Sequence, residues 1–529
     1  MSHEDLKRLW YDVDERLNSN NKLNVAIVYS VNRLWISELI NEIIPYCNEI
    51  RRFPVSLAPD LADNGRLSEF TDKIVEYESN KYLGGISLYD SLPSKNEPDL
   101  SSFNRYLRRF NPDVVIVADN IDSGFISIKP EIPLWHTEFG EQNALGIFET
   151  LYGRDVTVCS LYCTQMGQCR LIASHWYQTA LYHSAVNISV MLLKNKSLIV
   201  QSVKRLCTGD LTYGETAEIK KRETDVNIAY LRLLYLRESI KEKLSNLLYR
   251  DQWFLLYCRT DMDIWDMNSY VPYPVPQGRC WSQPCCITVQ GREYVFFQDY
   301  DYKQGMGHIS MLLCGEDGEF EYTDNVFQKP YHISYPFVFQ IDDELFMIPE
   351  SRASRTVDIY KCDRFPDQWS HCRTLLKDIS AVDTTLLYSD GMWWIFTCVC
   401  SHYFESCTDE LHIFYTDDIL KGDIKKHREN PVIRDCRIAR PGGCFIAENN
   451  KFYRISQDCS GINGHGLNVM EIRELSDNSY SESMTKRIAP AGPVGERVRT
   501  VAVGGSYAFT DGCRRQFKLS DKERNVLGK

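Results

Sequence analysis

Two nucleotide-binding signatures are missing from this chain of 529 residues. No G-x-G-x-x-G follows its first apolar strand and no G-x-x-x-x-G-K-[ST] occurs anywhere, so dinucleotide binding and P-loop phosphoryl transfer have no support. Positive charge is short as well. Sixty Lys and Arg stand against 72 Asp and Glu, a formal net charge of −12. That balance argues against nucleic acid or an anionic membrane surface as the main partner, and leaves a neutral or cationic small substrate open. No run approaches the ~18 apolar residues of a membrane span, and the polar start Met1-Ser-His-Glu-Asp-Leu-Lys-Arg8 has no apolar signal core. Cysteine is plentiful, at 19, yet no two are spaced C-x-x-C; Cys159 and Cys163 are one residue too far apart. Without an export signal, thiols scattered singly in apolar strands read as buried and reduced, and the chain as cytoplasmic. No His, Cys, Asp and Glu grouping has metal-ligand spacing, so no metal is expected.

What is present is a repeat. Tyr331-His-Ile-Ser-Tyr-Pro-Phe-Val-Phe339 reads as a strand, Asp342-Asp343 as a turn, and Glu344-Leu-Phe-Met-Ile-Pro-Glu350 as a second strand ending in a carboxylate. Similar hairpins recur around Tyr294, Trp393 and Phe452; with Leu345 these positions are spaced by 51, 48 and 59 residues. A period near 50 built from hairpins predicts a propeller. The last strand, Ser506-Tyr-Ala-Phe509, adds one more period. The opening strand, Trp253–Tyr257, lies too close to the first repeat to begin a blade, so it is expected to complete the last one. That gives five blades with no exposed sheet edge.

The first half has a different rhythm. Apolar strands at Leu23–Ser30, Asp113–Ala118 and Ile132–His136 alternate with helical patterns, which predicts an α/β domain with a Rossmann-like parallel sheet. Ligands of such sheets sit at the strands' C-terminal ends, here Ser30, Val31, Asn32, Asp119 and Asn120. A helix is expected at residues 1–22 (Leu6, Trp10, Val13, Leu17), another at Ala144–Leu151, and a hairpin at Val156–Tyr162 and Arg170–Ala173. The division is 1–222 for the α/β domain, 223–250 for a helical connector and 251–529 for the propeller.

Residues at equivalent points of the repeats should converge on the propeller axis. They are Gln283, Tyr335, Asp383 and Arg440, with a second ring of Gln298, Glu350, Gln457 and Asp458 one strand later. Carboxylates and amides beside an aromatic face suit sugar hydroxyls. Glu350 and Asp383 are the candidate catalytic carboxylates; two such groups flanking a glycosidic bond stand ~5–5.5 Å apart for retention and roughly 6.5–9.5 Å for inversion. The alternative is that they cap turns or pair with Arg352, Arg355 or Arg440. In the first domain His136 at a strand end is the candidate general base, although single histidines are more often structural.

These words resemble a known family. His332-Ile-Ser-Tyr-Pro-Phe-Val-Phe339, Met347-Ile-Pro-Glu-Ser351, Phe365-Pro-Asp-Gln-Trp369, Val382-Asp-Thr-Thr-Leu386, Asn430-Pro-Val432, Ala439-Arg-Pro-Gly-Gly443 and Ser456-Gln-Asp458 are similar to the N-terminal region of plant glucosamine inositolphosphorylceramide transferases. That resemblance implies a five-bladed propeller of the arabinanase type. Residues 23–206 look like a formyltransferase-like domain, which implies 10-formyltetrahydrofolate as cofactor and His136 in the catalytic His position. Leu134 and Trp135 stand where such enzymes carry Asn, and Gln165-Met-Gly-Gln-Cys169 where they carry an Asp-containing turn. In the propeller, Gln283 and Gln298 replace family acids, which keeps hydrogen bonding and removes the proton. The expected function is transfer onto a sugar in surface-glycan or glycolipid assembly, with a sugar nucleotide, glycolipid or glycan as partner. The alternatives are an inactive glycan-binding scaffold and propeller-borne glycosyl transfer or hydrolysis.

Overall fold

The computed structural model describes residues 22–29, 34–54, 110–118, 126, 128–141, 145–181, 183–217, 228–315, 319–400 and 406–518. It divides into two compact units, Met1–Glu242 and Lys243–Lys529.

In the first unit one mixed sheet of six strands runs β2 (Cys47–Pro54), β1 (Leu23–Tyr29), β3 (Val114–Val117), β4 (Leu134–Phe139), β5 (Val156–Gln165), β6 (Gln168–Gln178). The first four strands are parallel and the last two antiparallel. The Val, Ile and Ala side chains of β1 and β3 are fully buried, as strands covered on both faces require. Among the described residues the helices are α1 (Leu34–Ile43), α2 (Ile147–Tyr152), α3 (Ser184–Thr208) and α4 (Ile228–Leu248), the last of which runs past Glu242 into the second unit. Sequence reading missed β2 and α3. β2, Cys-Asn-Glu-Ile-Arg-Arg-Phe-Pro, is an edge strand with charged and polar residues at half its positions, and α3 mixes Ser, Asn and Lys with its apolar positions although most of it is buried. The expected helix at 1–22 and the strand-end residues Ser30, Val31, Asn32, Asp119 and Asn120 lie outside the described residues, Lys22 excepted. The sheet is parallel only as far as β4, which narrows the Rossmann-like expectation, and a formyltransferase-like architecture is not established for this unit.

The second unit is a five-bladed propeller. Blade 1 comprises Arg279–Val289, Arg292–Asp301, Met306–Cys314 and Phe320–Phe327; blade 2, Ser334–Ile341, Glu344–Glu350, Thr356–Arg364 and Gln368–Lys377. Blade 3 comprises Ser380–Ser389, Met392–Cys400, Glu410–Thr416 and Lys425–Lys426, with Ile433–Arg434 added on the third strand; blade 4, Ile446–Glu448, Lys451–Asp458, Gly466–Leu475 and Tyr480–Ile488. Blade 5 takes Val501–Val503 and Tyr507–Phe517 from the end of the unit and Tyr249–Arg259 and Val271–Pro272 from its start. Tyr507–Phe517 and Tyr249–Arg259 pair antiparallel over their full lengths, the closure expected from the sequence. The cores lie between blades. Cys285, Phe296 and Met311 of blade 1 pack on Val338, Met347 and Tyr360 of blade 2, and Leu255 and Phe509 of blade 5 pack on Trp281, Val295 and Leu312 of blade 1. Aromatic residues at these seams supply large buried area with defined ring geometry, as where Trp281 stacks on Tyr273 and Tyr322.

One expectation is corrected here. The cysteines are not all free: Cys400 and Cys407 form a disulfide with Cα atoms 4.8 Å apart, and the other cysteines remain thiols.

Candidate functional site

The inner strands carry a shared irregularity. In blades 1, 2 and 3 two residues of the inner strand oppose one of the second strand, at Gln283-Pro284, Tyr335-Pro336 and Asp383-Thr384. Each bulge begins with a non-glycine residue at positive φ: Gln283 at 55°, Tyr335 at 41° and Asp383 at 52°. That conformation costs on the order of 1–2 kcal/mol for an L-residue, and bulges re-aim side chains. Here all three side chains end in one network on the axis.

Asp383, with no exposed surface, is the centre. Its Oδ1 accepts from Gln283 Nε2 at 3.3 Å, and its Oδ2 from Arg440 Nε at 2.5 Å and Gln457 Nε2 at 2.7 Å. Gln283 Oε1 accepts from the Tyr335 backbone N–H at 3.2 Å; the Tyr335 hydroxyl meets Thr385 Oγ1 at 2.9 Å and accepts from the Gly443 N–H at 3.0 Å. Burial alone would lower the Arg440 pKa, but the Asp383 charge more than offsets it and holds the guanidinium protonated. Burial drives the Tyr335 hydroxyl well above its ordinary value, and Asp383 adds to the shift.

Glu350 stands beside Asp383 and retains partial exposure. Its pKa is raised to about 8, first by desolvation and then by the Asp383 charge, with Arg440 opposing. A hydrogen bond with Asp383 favours the protonated form further, while one with Ser334 works the other way. The proton stays on Glu350 because a second negative charge next to that of Asp383 is disfavoured.

The network therefore gathers Gln283, Tyr335, Glu350, Asp383, Arg440 and Gln457. Gln298 and Asp458 fall outside it. Gln298 Oε1 accepts from Ser282 Oγ at 3.0 Å. Asp458 follows Gln457 on a strand and so points the other way; its oxygens take Ser460 N–H and Oγ at 2.9 and 2.6 Å and Arg487 Nη2 at 2.6 Å. Sequence reading missed Asp511, the fifth-blade member, which has no exposed surface. It accepts from the Gln283 N–H at 3.1 Å and from Arg499 Nε at 2.9 Å. Its signal was the same period carried one blade further, into Tyr507–Phe517.

In the first unit His136 lies where the sheet turns from parallel to antiparallel, opposite Val117 on one side and Tyr162 on the other. It is buried, stacks on Tyr162 at 5.8 Å, and places Nε2 3.2 Å from Thr164 Oγ1 and 3.9 Å from Cys169 Sγ. Desolvation raises the Cys169 thiol above its ordinary value.

Among the described residues of blade 1, Asp299, His308 and Asp324 bring ligand atoms within 4.8 Å of one another. Arg279 already occupies that position, with Nη1 3.3 Å from Asp299 and Nη2 3.4 Å from Asp324. A guanidinium there supplies the positive charge that a metal ion would bring. No described helix is long and apolar enough to cross a membrane.

Fold and axis together define a five-bladed propeller with a polar, mixed-charge hub. Residues 281–490 match the family model described as "Glucosamine inositolphosphorylceramide transferase 1, N-terminal". Glucosamine inositolphosphorylceramide transferase 1 of Oryza sativa subsp. japonica is 30% identical over 200 residues, covering 37% of this chain and 27% of the rice protein. The protein of that name from Arabidopsis thaliana is 29% identical, covering 37% and 26%. The chain thus spans about a quarter of the length of these relatives. Among solved structures, a thermostable family-43 glycoside hydrolase aligns at 10% identity and TM-score 0.32 over 40% of this chain and 77% of its own. An α-L-arabinofuranosidase from Podospora anserina aligns at 9% and 0.33 over 46% and 93%.

Proposed function

We propose that the propeller hub recognises a saccharide and that the chain is a sugar-modifying transferase of glycolipid or surface-glycan assembly. The single observation that carries this reading is the convergence of six polar side chains from four blades on one axis, inside a region similar to transferases named for a glucosamine-bearing glycolipid. The hub is close to neutral. Asp383 is balanced by Arg440, Gln283 and Gln457 are amides, and Glu350 stays protonated near pH 7. Such a lining suits hydroxyls better than phosphate. Gln457 Oε1 is buried without a hydrogen-bond donor, a capacity that a ligand hydroxyl or a water would fill. Glu350, the partly exposed member, makes the direct contact, and the buried side chains hold it in place.

The acceptor is a glycolipid or glycan and the donor a nucleotide-linked amino sugar. His136 serves as the base of the first unit, in a cytoplasmic protein. The test offers purified protein a panel of sugar nucleotides with inositolphosphorylceramide or oligosaccharide acceptors. Mass spectrometry follows product and thermal shift follows binding. Product that is lost in His136→Ala supports the transferase. Formyl-folate with amino-sugar nucleotides forms a separate arm, and formylated product there would replace glycosyl transfer by the formyltransferase-like reading.

One observation favours a second reading, glycan binding without turnover. Both Asp383 oxygens are engaged by Gln283, Arg440 and Gln457, and its carboxyl shares a hydrogen bond with Glu350. Neither Asp383 oxygen is then free to serve as nucleophile or general base at a glycosidic bond. Saccharide retention without product, weakened by Glu350→Gln, would select this reading.

A further inference from the structure

Two thiols from blades that are not neighbours meet at the axis. Cys285 belongs to the inner strand of blade 1 and Cys444 to the chain entering blade 4, yet their Sγ atoms are 3.9 Å apart. The inner strand of blade 2 brackets them: the Val338 N–H donates to Cys285 Sγ at 3.4 Å, and that sulfur lies 3.9 Å from Val338 O. A small cavity opens over the two sulfurs, lined by Gln283, Pro284, Tyr335, Pro336, Phe337 and Gly443. Cys285 is buried and Cys444 half-buried. Hydrogen bonding from Cys444 lowers the Cys285 thiol below its ordinary value despite burial, and the same contact drives Cys444 upward.

We propose that Cys285 and Cys444 are a redox-active dithiol at the propeller axis, oxidised by a low-molecular-weight disulfide. Both thiols line the cavity, and Cys444, half-buried where Cys285 is buried, is the one a small oxidant meets first. Cys444 passes its proton to the Cys285 sulfur it faces as it attacks one sulfur of RSSR; a mixed disulfide forms, and the first RS⁻ leaves and takes that proton, leaving Cys285 as thiolate. Cys285, as thiolate, then attacks Cys444 Sγ and expels the second RS⁻, which is protonated in turn. Two electrons and two protons pass from the cysteines to RSSR, leaving one intramolecular disulfide and two RSH. The sulfurs must close from 3.9 Å to a bond of ~2.05 Å. The displacement falls on Gly443, whose N–H holds the Tyr335 hydroxyl, and on Pro284 beside Gln283. Oxidation therefore reaches the hub, but the dithiol stands whether or not the hub binds sugar.

The full chain is incubated with oxidised glutathione, alkylated under denaturing conditions, digested without reduction and mapped by mass spectrometry. The expected result is a Cys285–Cys444 linked peptide, two hydrogens lighter than its thiol form and restored by dithiothreitol. In Cys285→Ser the reaction should stop at glutathionylated Cys444. Wild-type protein that accumulates glutathionylated Cys444 without linkage overturns the proposal, as does reaction at exposed Cys372 with both axial thiols unchanged. Should the Ser variant fail to fold, phenylarsine oxide decides on wild-type protein. One arsenical bridging both thiols supports the dithiol, and no bridged adduct overturns it.

Discussion

Glu350 holds its proton because water is largely excluded and Asp383 stands beside it, so its pKa rises from 4.5 to about 8. The consequence for stability has a definite sign. Between pH 4.5 and 8 the native state keeps a proton that the unfolded chain has released, so wild-type stability falls as pH rises through that window. Glu350→Gln removes the titration. Its stability relative to wild type should increase by on the order of 3 kcal/mol from pH 5 to pH 8, reduced from the full linkage value because the side chain is partly exposed. Denaturant unfolding of both proteins at the two pH values measures it, and parallel pH dependences would exclude the buried proton. Asp383 and Arg440 make the complementary case. Asp383→Asn leaves a buried guanidinium without its anion and should cost ~3–5 kcal/mol, while Asp383→Asn with Arg440→Met should cost clearly less than the two single changes added. A double-mutant cycle with no coupling would show that the contact is not energetically linked.

At the scale of elements, the inner-strand bulges place the site. Gln283 and Tyr335 occupy positive φ, which their side chains do not favour, because the network holds them there beside Asp383. Gly443 differs, since its conformation cannot accept a side chain at all. Its φ is 140°, and a Cβ would stand 2.1 Å from Val501 O. Gly443→Ala should therefore separate the entry of blade 4 from blade 5 and cost more than ~2 kcal/mol. Gly391, at a hairpin turn with φ 78° and open space around it, provides the contrast. Gly391→Asn should cost less than ~1 kcal/mol, because Asn tolerates the left-handed region. Thermal unfolding of the two variants ranks them, and equal losses would contradict the packing argument.

For the whole molecule, closure of the ring matters most. Tyr249–Arg259 lies between Tyr507–Phe517 and Val271–Pro272, so the start and end of the propeller are joined by a ladder rather than by sequence. Removing everything after Gly505 would leave blade 5 without its second strand, expose two strand edges and open the Leu255–Phe509 seam against blade 1. That chain should elute as aggregate in size-exclusion chromatography, and a monodisperse, β-rich product would refute the role given to closure.

The propeller was legible because its information is local and repeated. Hairpin turns such as Asp342-Asp343 and Asp390-Gly391, and apolar strands following them, recur near every 50 residues, and each recurrence constrains its own blade. The same alignment of repeats picks out Gln283, Tyr335, Asp383 and Arg440, since equivalent positions in a ring must face the axis. Less could be read where no repeat helped. The long helix α3 and edge strand β2 carry too many polar residues for periodicity to mark them. Gln457 and Asp458 were one indistinct couple in sequence until the strand sent them to opposite faces. Composition and period determined the kind of fold and which residues approach the centre. Tertiary structure alone decided that Glu350 keeps its proton beside Asp383, that Asp511 closes the ring of contacts and that Cys285 meets Cys444, because hydrogen bonds and electrostatic coupling act over a few ångströms between residues tens to hundreds of positions apart.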